Sequence, residues 1–233
     1  MELSQHTVKA YDQKLDELQE LILQMGGRVR TLVQTVKRAM RERSQDIVEA
    51  AKAEDKEINR LEQALEQAAT VILALQNPLA IDLRFVTSSL KISGVMERAG
   101  DLAKNTIKRT AELGSYASPD TLAKLDRMAD VIIAMLDDAL VAVKERDASK
   151  AIAVWKRDDE VDDLYHEVFT VVQREMQASP GNIEAGTHLV FMAKNLERLA
   201  DYVTNMAKTV YYIVTGQQAD KSLIRGESTQ SSS

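Results

Sequence analysis

The sequence predicts an all-α protein, an elongated pair of pseudo-repeated three-helix bundles built from six long helices. Three observations lead to this prediction. The chain of 233 residues contains only 4% aromatic residues, 9 glycines and 3 prolines, a composition poor in strand and turn formers. Apolar residues recur at spacings of three and four over long stretches, which is the period of amphipathic helices. One set of polar residues also occurs twice with the same internal spacing, which indicates a duplicated unit.

Apolar periodicity and the three prolines define the predicted helices. The first helix carries apolar residues at this spacing from Val8 to Ala39, and a polar break at Glu42–Ser44 separates it from the second. Each proline follows a residue that caps helix N-termini well, and proline is itself favoured in the first helical turn. These pairs are Asn77-Pro78, Ser118-Pro119 and Ser179-Pro180. The predicted helices cover residues 4–42, 45–76, 78–113, 119–145, 148–178 and 181–215.

An internal repeat divides these helices into two sets of three. Five residues of the third helix recur in the sixth after a shift of 100 positions: Lys108, which aligns with Lys208, and the four residues of the pattern Glu-Arg-x-x-Asp-x-x-x-Asn. These four are Glu97, Arg98, Asp101 and Asn105, and their counterparts are Glu197, Arg198, Asp201 and Asn205. We therefore predict a first bundle over residues 1–115 and a second over 116–215. The tail at 216–233 has no apolar periodicity and is expected to be disordered.

Composition narrows the functional classes. The absence of cysteine excludes disulfides, thiolate metal sites and thiol catalysis. The chain shows neither the apolar core of a secretory signal nor an apolar run long enough to span a bilayer, so we expect a cytoplasmic protein that reaches the membrane only through partners. A net charge of −6 argues against binding to nucleic acid, because the phosphates would be repelled.

The repeated motif places acidic residues on one face of a helix. Glu97 and Asp101 are four residues apart, and helical phase puts them opposite the apolar stripe, towards solvent. The second copy has the same phase. The preceding helix of each half also carries polar residues beside its apolar seam. A shift of 103 positions aligns Asp55 of the first half with Asp158 of the second. We therefore expect one oxygen-lined surface groove in each half.

Carboxylate oxygens without nitrogen or sulfur ligands suit hard or borderline cations such as magnesium, calcium, manganese or iron, and zinc is a further candidate. Like charges four residues apart repel unless they are neutralised, either by such an ion or by nearby Arg98, Lys104 and Lys108. The alternative interpretation is a pair of solvated helix faces. The candidate metal-binding residues are Asp55, Asn59, Glu97, Asp101, Asp158, Asp162, Glu197 and Asp201.

Nothing in the sequence forms a catalytic constellation, so we predict a protein that is not an enzyme. Di-iron carboxylate bundles need Glu-x-x-His, whereas the residues three positions after the two motif glutamates are Gly100 and Ala200. The three histidines, His6, His166 and His188, are scattered, and no nucleophile elbow or phosphate-binding loop occurs. Two alternatives stay open: a metal-dependent oxidase or hydrolase that uses the acidic grooves, and a helical metal-binding scaffold.

Two further features have structural interpretations. Gly26 and Gly27 interrupt the first helix, where each glycine costs about 1 kcal/mol relative to alanine. We interpret them as a point of close approach by another helix, with a hinge or a partner contact as the alternative. Trp155, the only tryptophan, has apolar neighbours at helical spacing and is predicted to lie in the core.

Several of these motifs, taken in order, resemble the PhoU family, the accessory proteins of phosphate-specific transport systems. In the first half they are Met25-Gly26-Gly27, Asp55-x-x-Ile58-Asn59, Pro78-Leu-Ala-Ile-Asp-Leu-Arg84, Leu90-Lys-Ile and Glu97-Arg-x-Gly-Asp101-x-x-x-Asn105. In the second half they are Asp158-x-x-Val161-Asp162 and Glu197-Arg-x-x-Asp201-x-x-x-Asn205. The resemblance covers residues 5–215.

The resemblance implies a homodimeric negative regulator of the phosphate-starvation response and of phosphate uptake. It implies an adaptor that bridges the ATPase subunit of the phosphate ABC transporter and a PhoR-type sensor histidine kinase. These partners are expected to recruit the adaptor to the inner face of the membrane. Some members bind metal clusters through surface carboxylates, which carries over to the candidate acids of the two grooves. Asn59 departs from that pattern, because its neutral oxygen adds no charge, so the first site is expected to bind metal more weakly.

Overall fold

The computed structural model describes residues 2–113, 118–220 and 223, with side chains from Tyr11 onward. Within these residues there are seven α-helices and no β-strand, which confirms the all-α class. They are α1 (Glu2–Glu42), α2 (Gln45–Gln76), α3 (Ala80–Thr110), α4 (Pro119–Glu145), α5 (Ala148–Lys156), α6 (Asp158–Ala178) and α7 (Ile183–Thr215). None of the described helices has an apolar stretch suited to crossing a membrane. Most of the predicted disordered tail lies outside the described residues.

Only one of the three proline pairs begins a helix as predicted. Ser118 caps α4 by accepting a hydrogen bond from the backbone N–H of Thr121. Asn77 instead ends α2 with φ 45°, because asparagine tolerates the left-handed region that closes helices, and α3 begins only at Ala80. Pro180 opens a single 3₁₀ turn, Pro180–Asn182, before α7. The predicted starts at residues 78 and 181 were therefore early by two residues each.

The predicted helix over residues 148–178 is interrupted at Arg157, so that α5 and α6 together form the fifth of the six long helices. The N–H of Arg157 donates to the carbonyl of Val154 at 3.1 Å, a tight turn that ends α5. Three acidic residues then occupy the first turn of α6, where the positive end of the helix dipole favours them. Asp147 caps α5 through the N–H groups of Ser149 and Lys150.

Each half packs its helices around one long helix, and the two long helices α3 and α7 meet at the centre of the molecule. Arg84, near the start of α3, donates to the carbonyl of Ile213, near the end of α7, at 3.2 Å. At the other end, Arg109 Nη1 lies 3.4 Å from His188 Nδ1. The two helices therefore run antiparallel, and their Glu-Arg-x-x-Asp motifs lie at the same level near the middle. One continuous hydrophobic core extends through both halves.

A row of ion pairs joins α1 of the first half to α4 of the second. Arg30 contacts Asp137 at 2.6 Å, and Arg41 contacts Asp126 at 3.0 Å. Between them, Lys37 contacts Asp126 at 3.2 Å and also pairs with Asp130. α1 has 41 residues and is therefore about 60 Å long at the α-helical rise per residue. This length gives the molecule its elongated form.

Close packing explains one of the two glycines in α1. A Cβ added at Gly26 would lie 2.3 Å from Cδ2 of Leu140 in α4, whereas nothing lies within 4 Å of one added at Gly27. The interpretation as a helix contact is thus confirmed for Gly26. Trp155 is buried, as predicted, and the Lys208 ammonium lies 4.2 Å from the centre of its ring.

Candidate functional site: two carboxylate clusters

In the first half, the acids of α2 and α3 meet around a lysine. Lys104 Nζ donates to Asp55 Oδ2 at 2.7 Å and to Asp101 Oδ1 at 2.5 Å. Glu97, one turn before Asp101, lies close enough to both aspartates to feel their charge. We define Asp55, Glu97, Asp101 and Lys104 as the first cluster. Of the three basic residues that could neutralise this motif, Lys104 is the one that bridges the two aspartates.

The environment of the first cluster differs from the solvated groove expected from helical phase. Asp55 is only 8% exposed, because α3 covers the side of α2 that carries it. Asn59 is exposed one turn further along α2. Burial alone would lower the pKa of Lys104, but its hydrogen bonds to Asp101 and Asp55 outweigh that effect and raise the pKa. The lysine is therefore held in its charged form by the acids it bridges.

Glu62 adds an acid that the motif did not predict. It lies two turns after Asp55, on the same face of α2. Burial, followed by the nearby carboxylate of Glu97, raises the pKa of Glu62. Burial also raises the pKa of Glu97, with further contributions from Asp101 and Asp55. Glu62 and Glu97, to which Lys104 donates no hydrogen bond, thus repel each other.

In the second half, four acids gather between α6 and α7. We define Asp158, Asp162, Glu197 and Asp201 as the second cluster. Burial, followed by the charge of Asp201, raises the pKa of Asp158 to about 6. Burial and Glu197 raise the pKa values of both Asp162 and Asp201. These mutual effects place the four carboxylates near one another, as the repeat predicts.

The second cluster has no counterpart of the bridging lysine. The position that a shift of 100 residues aligns with Lys104 is Thr204, which is 1% exposed. Its hydroxyl faces Asp158 closely enough to offset part of the rise in the pKa of that carboxyl, yet it forms no hydrogen bond of good geometry. Oε2 of Glu197 is also buried without a hydrogen-bond partner. Sequence reasoning missed Thr204, although its alignment with Lys104 was the available signal.

The lysine side chains around the second cluster contact groups other than its aspartates. Lys194 contacts Glu197 Oε1 at 2.7 Å, on the side of α7 that faces Tyr165. Lys208 lies over Trp155 and acts on Asp158 only at longer range. Among the described residues, no lysine or arginine forms an ion pair with any aspartate of this cluster. Its negative charge is therefore only partly compensated.

Neither cluster is arranged as a ready-made metal site. Within residues 2–113, 118–220 and 223, no three carboxylate or histidine side chains converge at metal-binding distance. His166 is exposed on α6, and its Nδ1 lies 2.7 Å from the carbonyl of Asp162. The structure thus brings the predicted acids together in two groups, one of them closed by a lysine and the other without such a bridge.

The raised pKa of Asp158 predicts a specific pH dependence of stability. Because the folded state binds this proton more tightly than the unfolded state, Asp158 should lower stability as the pH rises from about 4 to about 6. We expect Asp158→Asn to raise the free energy of unfolding by about 1 to 2 kcal/mol at pH 7.5, with a smaller gain at pH 4.5. Denaturant unfolding in the presence of a chelator measures both values.

The control is Asp163→Asn, which alters an exposed acid of the same helix outside the cluster. It should change stability much less at either pH. An equal gain for Asp158→Asn at both pH values would contradict the assignment of this pH dependence to Asp158.

Similarity to known proteins covers both halves. A family model described as the PhoU domain matches residues 22–110 and again residues 125–210. The phosphate-specific transport system accessory protein PhoU homolog of Caulobacter vibrioides is 36% identical over 93% of this chain and 94% of its own length. The homolog of the same name from Zymomonas mobilis is 39% identical over 91% of this chain and 90% of its own length.

Two crystal structures have the same fold. One is the phosphate transport system regulatory protein PhoU from Streptococcus pneumoniae, with a TM-score of 0.83 and 29% identity over 90% of this chain and 99% of that one. The other is PhoU from Pseudomonas aeruginosa, with a TM-score of 0.84 and 27% identity over 89% of this chain and 100% of that one. With its helices, its repeat and its paired acidic motifs, the chain belongs to the PhoU family.

Proposed function

We propose that this protein restrains phosphate uptake and the phosphate-starvation response as an adaptor without chemistry of its own. It would bind the ATPase subunit of the phosphate ABC transporter and a PhoR-type sensor histidine kinase. The names of its relatives, which describe accessory and regulatory proteins of phosphate transport, support this proposal. When phosphate is plentiful, the adaptor would hold the kinase in its non-activating state and limit transport.

The observation that carries the adaptor role is an apolar surface around the turn between α2 and α3. Large apolar side chains are exposed on both sides of this turn, whereas well-packed helical bundles bury most such side chains. The most exposed are Leu75 at 67% and Leu79 at 78%. Val71, Ile81 and Leu83 are the other exposed members. The corresponding turn of the second half exposes a single large apolar residue, Ile183.

Surface of this kind is typical of a protein–protein contact, because burying it in a complex removes apolar area from water. In this proposal a partner covers it, and the protein reaches the inner face of the membrane only by binding the transporter and the kinase. A homodimer is part of the same proposal. No reaction is needed, since the adaptor changes the state of the kinase through binding alone.

Deletion and complementation test the proposal. In phosphate-rich medium, a deletion strain should express a starvation-response reporter constitutively, and the wild-type gene should restore repression. Leu75→Ser/Leu79→Ser should fail to restore it and should lose co-purification with the ATPase subunit, the kinase or both. Both positions are exposed, so helicity and melting temperature should stay near wild type.

Ile183→Ser is the matched control, because it removes an exposed apolar residue at the equivalent turn of the other half. It should repress the reporter normally. If the deletion strain represses normally and the wild-type protein captures neither partner at high phosphate, the adaptor role is wrong. A change of the double variant from dimer to monomer would instead assign this surface to the homodimer.

The rival function is a metal-dependent oxidase or hydrolase, or a metal store, based on the acidic clusters. The partly uncompensated charge of the second cluster is the observation that favours it. An enzyme would lose turnover in Asp101→Ala/Asp201→Ala while keeping its helicity. The regulator would show no turnover in either form.

A further inference from the structure

A row of aromatic and basic side chains crosses the surface of α6, α7 and the end of α3. Phe169 of α6 is 43% exposed, and Phe191 of α7 is 48% exposed. The centre of the half-buried Tyr165 ring lies 6.4 Å from that of Phe169. The Arg109 guanidinium lies 4.4 Å from the centre of the Phe191 ring, and the Lys194 ammonium lies 5.2 Å from that of Tyr165. We define these five residues as the aromatic surface.

The internal repeat shows that the fold does not need phenylalanine at these positions. The shift of 103 positions between α2 and α6 aligns Glu66 with Phe169, and the shift of 100 positions between α3 and α7 aligns Lys91 with Phe191. Glu66 and Lys91 are both exposed. The first half thus forms the same helices with charged side chains in these places. Two exposed phenylalanines in the second half therefore indicate a surface that another protein covers, because covering them removes apolar area from water.

The aromatic surface also carries a positive charge that is available to a partner. Arg109 forms no ion pair with an aspartate or glutamate of the part of the chain that the structure describes, and its polar contact is with Nδ1 of His188 at 3.4 Å. A guanidinium has five N–H donors in a planar arrangement that matches a carboxylate. Lys194, by contrast, pairs with Glu197 at 2.7 Å. The surface therefore combines exposed rings with donors suited to an acidic side chain.

The aromatic surface is separate from the apolar surface around the turn between α2 and α3. Leu83 belongs to the surface at that turn and Arg109 to the aromatic surface, and α3 holds them about 40 Å apart at the α-helical rise per residue. A protein that bridges two others must bind them at separate places, because two partners cannot occupy one surface at the same time. The distance between these two surfaces meets that requirement.

We propose that the aromatic surface binds one of the two partners of the adaptor, through a partner segment that carries an aspartate or glutamate beside a large apolar side chain. The apolar side chain packs on Phe169 and Phe191, and the carboxylate accepts hydrogen bonds from Arg109. The other partner binds at the turn between α2 and α3. This inference rests on the proposed adaptor role, and it assigns a separate surface to each partner.

Binding of the full-length chain to each partner tests the proposal. The chain is immobilised at high phosphate and exposed to the purified ATPase subunit and to the detergent-solubilised kinase, separately and in sequence. Wild type should bind both together. Phe169→Ser/Phe191→Ser should weaken one partner roughly tenfold or more and leave the other within about twofold, and Leu75→Ser/Leu79→Ser should weaken the other partner. The matched control, Glu66→Ser/Lys91→Ser, alters the aligned positions of the first half and should leave both affinities within about twofold.

Arg109→Gln provides a second variant that keeps both phenylalanines. It should weaken the same partner as Phe169→Ser/Phe191→Ser and reduce the salt dependence of that binding, because it removes the charge that the carboxylate meets. Circular dichroism should stay unchanged in all variants. If wild type binds neither partner, the adaptor role fails and this inference fails with it.

Three results would overturn this inference and leave the adaptor role in place, each with wild type binding both partners. The first is a Phe169→Ser/Phe191→Ser protein that keeps both partners or loses both. The second is loss of the same partner by this variant and by Leu75→Ser/Leu79→Ser. The third is a change of Phe169→Ser/Phe191→Ser from dimer to monomer in size-exclusion chromatography, which would assign the aromatic surface to a second copy of the chain.

Discussion

Replacing Lys104 with methionine is expected to lower the free energy of unfolding by about 2 to 4 kcal/mol, measured in chelator at pH 7.5. The ammonium donates to Asp55 at 2.7 Å, and the Asp55 side chain is only 11% exposed. Methionine keeps most of the apolar stem but leaves this buried carboxylate without a partner. An unpaired buried charge is among the costliest defects that a single substitution can create.

Two control variants separate the cost of an unpaired charge from lost packing. Asp101→Asn removes the other acid bridged by Lys104, but that side chain is 48% exposed, so a loss below about 1 kcal/mol is expected. Asp55→Asn/Lys104→Met removes both charges and should recover much of the stability lost by Lys104→Met alone. If Lys104→Met unfolds like wild type, or if the double variant is the least stable of the set, the bridge is not what neutralises Asp55.

Gly26→Val is expected to destabilise the protein by about 2 kcal/mol through overpacking between α1 and α4. A Cβ at position 26 would already lie 2.3 Å from a methyl group of Leu140, and the two further methyl groups of valine enlarge the clash. Leu140 can relieve part of it by changing rotamer, which limits the cost. Chemical denaturation with a fluorescence or circular dichroism probe gives the difference.

The neighbouring glycine supplies the matched control. Gly27→Ala should raise stability by up to about 1 kcal/mol, because alanine favours the helix and nothing lies within 4 Å of the new Cβ. Combining Gly26→Val with Leu140→Ala should restore part of the loss by opening space in α4. If Gly26→Val and Gly27→Val change stability equally, the contact with α4 does not govern this site.

The helices were predictable because each has its own apolar seam, which is visible in the spacing of apolar residues along the sequence. The departures occur where the conformation of a residue depends on its neighbours further along the chain or across a helix contact. Asn77 has the side chain of an N-cap, but its tolerance of positive φ made it the end of α2. Arg157 carries no breaker signal, and the helix breaks there through the tight turn before three acidic residues.

The sequence was enough to predict which acids of the candidate site lie together, because the duplicated motif reveals their grouping. It was not enough to predict the burial and the neighbours of these acids. Helical phase describes one helix at a time, so it left Asp55 beside the apolar seam in a surface groove, whereas the packing of α3 buries it. The same limitation hid the contrast between Lys104 and Thr204, because only the three-dimensional contact shows what the lysine does.

The antiparallel pairing of α3 and α7 has a consequence for how the two halves can change. Two similar units that meet through the same helix in opposite directions have the geometry of a symmetric dimer, fused here into one polypeptide. In a true homodimer every substitution appears in both subunits at once. A fused dimer is free of that constraint, and each half can carry its own residue at an equivalent position. Lys104 and Thr204 are such a pair. Covalent fusion therefore allows one chain to carry two acidic clusters that differ at this equivalent position.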